Sequence, residues 1–202
     1  MELTAWLSLA TICILGAMTP GPSLAMVLKH TVAGGRLNGI VTSVTHGLGV
    51  SLYAILTVLG MAILIKETPW LFNIIKYAGA IFLLWLAYNA FTAKSSLANL
   101  KQTDISVSLR QSALQGFMIA FLNPKLAIFF LALFSQFINA EASWQQKSLM
   151  VATVGGIDTL WYCLIAAILS HSRILDKLRK NIHWVEKATG VALIGITARL
   201  LL

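Results

Sequence analysis

Deep inside the long apolar stretches of this sequence there is one acidic side chain, Asp158. An ionised carboxylate at the centre of a bilayer costs about 2.5–3.5 kcal/mol or more, so an acid held there must face a cavity or a partner. The candidates are an ammonium group of a ligand, a transported proton, or a buried cation such as Lys125. Two proline-centred interruptions accompany it: Pro20-Gly21-Pro22-Ser23 and Asn123-Pro124-Lys125. Proline inside a helix removes a backbone donor and clashes with the carbonyl one turn earlier, so each motif should open its helix. In hydrocarbon the freed groups must be satisfied by protein or line a water-filled cavity. A half-helix starting near Ser23 would aim free N–H groups and a positive dipole end at that cavity, chemistry suited to a carboxylate. A kink without a site is the plainer reading, but the break recurs with Asn123 and Lys125 beside it. His46, near Asn38, Thr42, Ser43 and Thr45, is either a hydrogen-bonded packing residue or a proton relay.

The elements that hold these residues follow from composition. Hydrophobic residues make up 58% of the chain and charged residues 11%, against roughly 45–50% and about 25% in soluble domains. Too little polar surface remains to cover a water-exposed globule. About 20 apolar residues are needed for a helix to cross the hydrocarbon core. Six such runs occur: Leu3 to Leu28, Asn38 to Ile65, Trp70 to Ala93, Ser112 to Ile138, Ser148 to Ser170 and His183 to Leu202. Stretches such as Ala80 to Ala87 are apolar on every face, which excludes the alternation of a membrane β-barrel. The spans consume nearly the whole sequence, leaving no room for a soluble catalytic or nucleic-acid-binding domain.

The net charge of +8 does not require a polyanion either. Lys29, Arg36, Lys94, Lys101, Arg110, Arg173, Lys177, Arg179 and Lys180 fall in the odd-numbered loops, while the even ones hold little more than Lys66 and Lys147. Lys and Arg are retained on the cytoplasmic side, so both termini are expected outside. The first run makes a poor signal peptide, since no basic residue precedes it and Pro-Gly-Pro interrupts it. Cys13 and Cys163 both fall within spans and read as small apolar side chains rather than a disulfide or thiolate metal site. Trp6, Trp70, Trp144 and Trp184 lie near span ends, as interface anchors do. The glycines at 35, 39, 47, 49, 155, 156, 190 and 195 most simply allow close helix packing.

The sequence also repeats itself once. Gly47, Ser51, Leu52 and Tyr53 align with Gly155, Thr159, Leu160 and Trp161, Ala78-Gly79 resembles Thr189-Gly190, and each half opens with a proline break. The expected architecture is an all-α integral membrane protein of about six transmembrane helices in two inverted three-helix repeats. Residues 1–93 and 112–202 form the halves and 94–111 a cytoplasmic linker. An odd number of helices per half forces opposite insertion, and inverted repeats place transport sites near the midplane between halves.

At these residues the chain resembles the LysE/RhtB family of bacterial amino-acid exporters, over essentially its full length. The resemblance rests on Thr19-Pro20-Gly21-Pro22, on Leu122-Asn123-Pro124-Lys125 followed by Ala127 and Phe129-Phe130, on Gly35-Arg36 with Gly39, and on Asp158-Thr159-Leu160-Trp161. Thr45 and Tyr53 depart from it, standing where relatives often have Gly and His. It implies residence in the bacterial inner membrane and outward transport of amino acids. No nucleotide-binding loop is present to support ATP-driven transport, so proton exchange is the expected drive. On this reading the broken first helix (Pro20, Gly21, Pro22, Ser23) binds the substrate carboxylate. Asp158 meets the ammonium or carries the coupling proton, with His46 as a possible relay, and Asn123, Pro124 and Lys125 complete the polar centre. A neutral zwitterion fits a single buried acid best. No cofactor, metal or nucleic acid is expected, and a homodimer is left open. Two alternatives stand beside it: an exporter of cations or other solutes, for which Asp158 and His46 supply few ligands, and a thiol-disulfide electron conduit, which requires Cys13 and Cys163 to meet.

Overall fold

The computed structural model describes residues 1–19, 21–92 and 107–169, together with 184, 187, 190, 191, 194 and 195. Pro20, most of the linker and most of the sixth apolar run therefore lie outside the described residues, as do Thr189 and its proposed match to Ala78. The described residues form six helices and no strand: α1 (Leu3–Met18), α2 (Pro22–Glu67), α3 (Pro69–Thr92), α4 (Leu109–Phe121), α5 (Pro124–Phe137) and α6 (Trp144–Leu169). These are not the six apolar runs one for one. The proline motifs divide the first and fourth runs, so that Pro22 and Pro124 each open a new helix, the position where a missing N–H is harmless. α4 and α5 meet at 52°.

α2 runs for 46 residues, about 69 Å if straight and more than twice the hydrocarbon thickness. It is not straight. Gly35 has φ 83°, a left-handed conformation that only glycine adopts without strain. His30 Nδ1 lies 2.6 Å from Thr42 Oγ1 twelve residues later, whereas twelve residues of straight helix span about 18 Å. The chain therefore doubles back at Gly35, making residues 22–34 and 36–67 two antiparallel limbs. The turn lies in the first expected loop, between the runs ending at Leu28 and starting at Asn38, and Gly35, also read as a packing glycine, makes it. α4 also begins before the expected Ser112, because Ser108 and Gln111 form a reciprocal capping box that satisfies two free amino-end donors.

Large side chains fill the centre: Leu9 and Ile12 of α1, Val58 and Met61 of α2, Leu83 of α3, Leu133 and Phe134 of α5 and Met150 of α6. The outside is equally apolar. Ile81 is 68% and Leu160 72% exposed, a distribution suited to lipid and not to water. Among the described residues three helices are long and apolar enough to span a membrane, or four with the bent α4–α5 pair, so the chain is a helical integral membrane protein.

α2 and α6 cross where both lack a side chain. A Cβ on Gly47 would overlap Thr159 Oγ1, and a Cβ on Gly155 would overlap Ser51 Oγ. Each glycine thus packs on the hydroxyl residue that aligns with its own neighbour in the other half. Gly39 meets Thr31 and Ala166, and Gly49 meets the Phe117 carbonyl, as close packing predicts. Among the described residues nothing lies within 4 Å of a Cβ on Gly156 or Gly195.

Candidate functional site

The break between α1 and α2 and the break between α4 and α5 face one narrow cavity of about 40 Å³. Gly21, Pro22 and Ser23 line it from the first break, Asn123 and Lys125 from the second, and Asp158 and Tyr162 from α6. All the sequence-selected residues that are described meet here except Pro124, which opens α5 just behind, and His46, which stands directly behind Asp158.

Each side chain is placed by a local cause. Gly21 is the N-cap of α2 and no side chain caps that end, so its first amides stay available as donors. Asn123 caps α5, its Oδ1 accepting from the Lys125 backbone N–H at 3.0 Å. This fixes the start of α5 and sends the Lys125 side chain across to the first break, where a Cβ on Gly21 would lie 3.6 Å from Lys125 Nζ. An ammonium beside a helix amino end puts two positive groups together. Among the described residues no carboxylate lies within ion-pair distance of Lys125.

Asp158 has another partner. His46 Nδ1 lies 2.7 Å from Asp158 Oδ2, and the imidazole is fully buried. The alternative in which Lys125 neutralises Asp158 is not what the structure shows. His46 Nε2 is buried without a hydrogen-bond partner. An ionised carboxylate only accepts, so the N–H belongs on Nδ1 and the stranded Nε2 is an empty acceptor. If the carboxyl holds the proton instead, Nε2 carries an unpaired N–H. Either way the pair shares one proton over a short contact, and one ring nitrogen stays unsatisfied, a state that normally costs about 1–3 kcal/mol.

Sequence reasoning missed several lining residues. Tyr162, one turn beyond Asp158, is buried, stands edge-on to His46 with centroids 5.1 Å apart and has its hydroxyl beside Ser23. Its spacing of four from Asp158 was the available signal. Val50, Leu86, Leu126, Phe129, Phe130 and Val154 give the cavity an apolar wall, and nothing in an apolar run separates such residues from ordinary core. Phe129 depends on Gly16, whose Cβ would lie 2.7 Å from its ring. Cys13 also lines the cavity, nearer the break than expected, and both cysteines are free thiols.

Several known proteins are similar to this chain over nearly its whole length. A profile described as LysE type translocator matches residues 14–202. An uncharacterised membrane protein of Bacillus subtilis, YrhP, is 26% identical over 96% of this chain and 95% of its own length. The leucine efflux protein of Klebsiella pneumoniae is 29% identical over 91% of this chain and 88% of its own. For the threonine efflux protein of Escherichia coli K12 the figures are 24%, 99% and 98%. No solved structure matches the chain.

Proposed function

The chain belongs to the LysE type translocator family, and from that premise we propose that it exports small neutral amino acids across the bacterial inner membrane, in exchange for protons moving inward. One observation carries the reading: a single buried cavity joins a cationic pole to a lone acid. The pole is Lys125 at the uncapped amino end of α2, and the acid is Asp158. An amino-acid zwitterion presents the opposite charges, its carboxylate to the α2 amides and Lys125 and its ammonium to Asp158. Ser23 and Tyr162 lie between the poles and can orient the carboxylate. The aliphatic and aromatic wall accepts an uncharged side chain and offers no second acid to a charged one. The leucine and threonine efflux names of two relatives are in keeping with this.

The His46–Asp158 pair supplies coupling. With the cavity empty, the pair takes up one proton beyond the neutral imidazole's own, and that proton is the one exchanged. An arriving ammonium competes for the same carboxylate, so substrate and proton favour different states of one acid, which is what antiport requires.

The test is efflux from proteoliposomes loaded with mixed amino acids under a pH gradient. The native protein should release neutral species while protons enter. Asp158→Asn keeps the shape and a hydrogen bond to His46, but loses one charge-assisted contact of about 1.5–3 kcal/mol, so substrate affinity should fall about ten- to a hundredfold and gradient dependence should vanish. Coupled efflux at the native rate from the variant would remove Asp158 from both roles.

A further inference from the structure

A buried polar cluster outside the cavity lies where α2 doubles back. His30, Thr42 and Ser112 are fully buried or nearly so, Asn38 is 6% exposed, and none of them lines the cavity. The Thr42 hydroxyl donates to the Asn38 carbonyl at 2.8 Å, so His30 Nδ1–H donates to Thr42 Oγ1. His30 Nε2, then an acceptor, lies 2.9 Å from the Gln115 side-chain amide of α4, whose N–H donates to it with the amide turned over. Asn38 Nδ2 donates to Ser112 Oγ at 3.0 Å and to the Val107 carbonyl at 2.6 Å. The bonds join both limbs of α2 to the start of α4.

Position gives this cluster a meaning. Residues 22–34 run from the cavity to the bend, residues 36–67 return past His46 at the level of Asp158, and α4 runs from the bend end toward Asn123 at the cavity. The cluster therefore stands between the cavity and the bend end. Toward the opposite end the closure is dry: Leu9, Ile12, Val58, Met61, Phe134 and Met150 pack together. The two closures differ in what parting them requires. Separating the apolar one exposes hydrocarbon to water. Separating the polar one exchanges each bond for a bond to water at small net cost.

The geometry points to the His30–Asn38–Gln115–Ser112 cluster as a hydratable gate through which the cavity is loaded from the bend end. Loading, as a direction, rests on the export reading above; the gate itself does not. A network that merely fixes packing makes a different prediction. Cys13 lines the cavity and can report access in a Cys163→Ala background. Its alkylation by a membrane-impermeant maleimide is followed in right-side-out and inside-out membrane vesicles, with exposed Arg110→Cys, in a Cys13→Ala and Cys163→Ala chain, marking the bend-end side. Ser112→Ala or Gln115→Ala should speed labelling from that side alone, by about fivefold per bond lost, the equivalent of about one net hydrogen bond. Unchanged labelling, an equal rise from both sides, or a rise from the far side alone would each overturn the gate. Ser112→Ala removes little volume and carries the test if Gln115→Ala lowers the amount of folded protein. Amino-acid efflux is measured separately on the same variants. Failure of export with one-sided labelling intact would reject the substrate reading and leave the gate standing.

Discussion

The carboxylate of Asp158 and the ammonium of Lys125 share a cavity yet do not neutralise each other, and that separation is the chemical content of the site. Asp158 turns to His46 at 2.7 Å, while Lys125 reaches the amino end of α2. The cationic pole can be tested without touching a charge. Replacing Pro20 and Pro22 with alanine supplies the missing donors and lets α1 and α2 approach a continuous ladder that uses the N–H groups internally. Amino-acid affinity should then fall about ten- to a hundredfold, the loss of one charge-assisted hydrogen bond of about 1.5–3 kcal/mol, while the corresponding amide, which binds weakly from the outset, should lose little. Calorimetry with both ligands on both proteins decides it, and equal losses would mean that the break does not read the carboxylate. Asp158, Lys125, Asn123 and the prolines were legible in the sequence because each violates the rule for its surroundings, a charge or a breaker in hydrocarbon. The partnership of His46 with Asp158 was not legible, since they are 112 positions apart and nothing local records a tertiary contact. Tyr162 was overlooked because an aromatic in an apolar run breaks no rule.

Among helices, boundaries set by breakers were readable, and so was the loop between Leu28 and Asn38 in which the chain turns. Pro22 and Pro124 begin helices as their ring geometry requires. Gly35 was read both as a packing glycine and, with Arg36, as a basic turn, because a residue chosen for a positive φ and one chosen for close packing leave the same letter. The crossing of α2 and α6 separates such cases by experiment. Gly47→Ala places a methyl on Thr159 Oγ1, and overpacking of this kind typically costs about 1–3 kcal/mol. Gly60→Ala meets nothing within 4 Å and should be neutral or stabilising by roughly 0.5–1 kcal/mol through helix propensity. Thermal unfolding in detergent should rank the two variants in that order. Adding Thr159→Ala should restore most of the loss at Gly47 and do nothing for Gly60→Ala. A Gly47→Ala protein as stable as the parent would show that the crossing is looser than these contacts require.

For the whole molecule, apolar composition and basic-loop asymmetry gave the class and an orientation, and the orientation has its own test. A reporter active only in the periplasm should be active when fused after Leu202 and silent when fused within residues 95–108, in keeping with retention of Lys and Arg inside. The reverse pattern would turn the protein over and with it the side from which the bend end is reached. The internal repeat rests on three weak sequence matches, one of which reaches outside the described residues, and at the crossing of α2 and α6 Gly47 packs on Thr159 and Gly155 on Ser51. The same register has a further consequence. It takes His46 to Val154 and Asp158 to Val50, and both valines line the cavity. Within a frame of matched halves, the polar pair is present once and its mirror image is hydrocarbon. Were the two halves to exchange roles, the acid would pass from one environment into another that is not its equal, and the two faces would differ in energy even with no gradient applied.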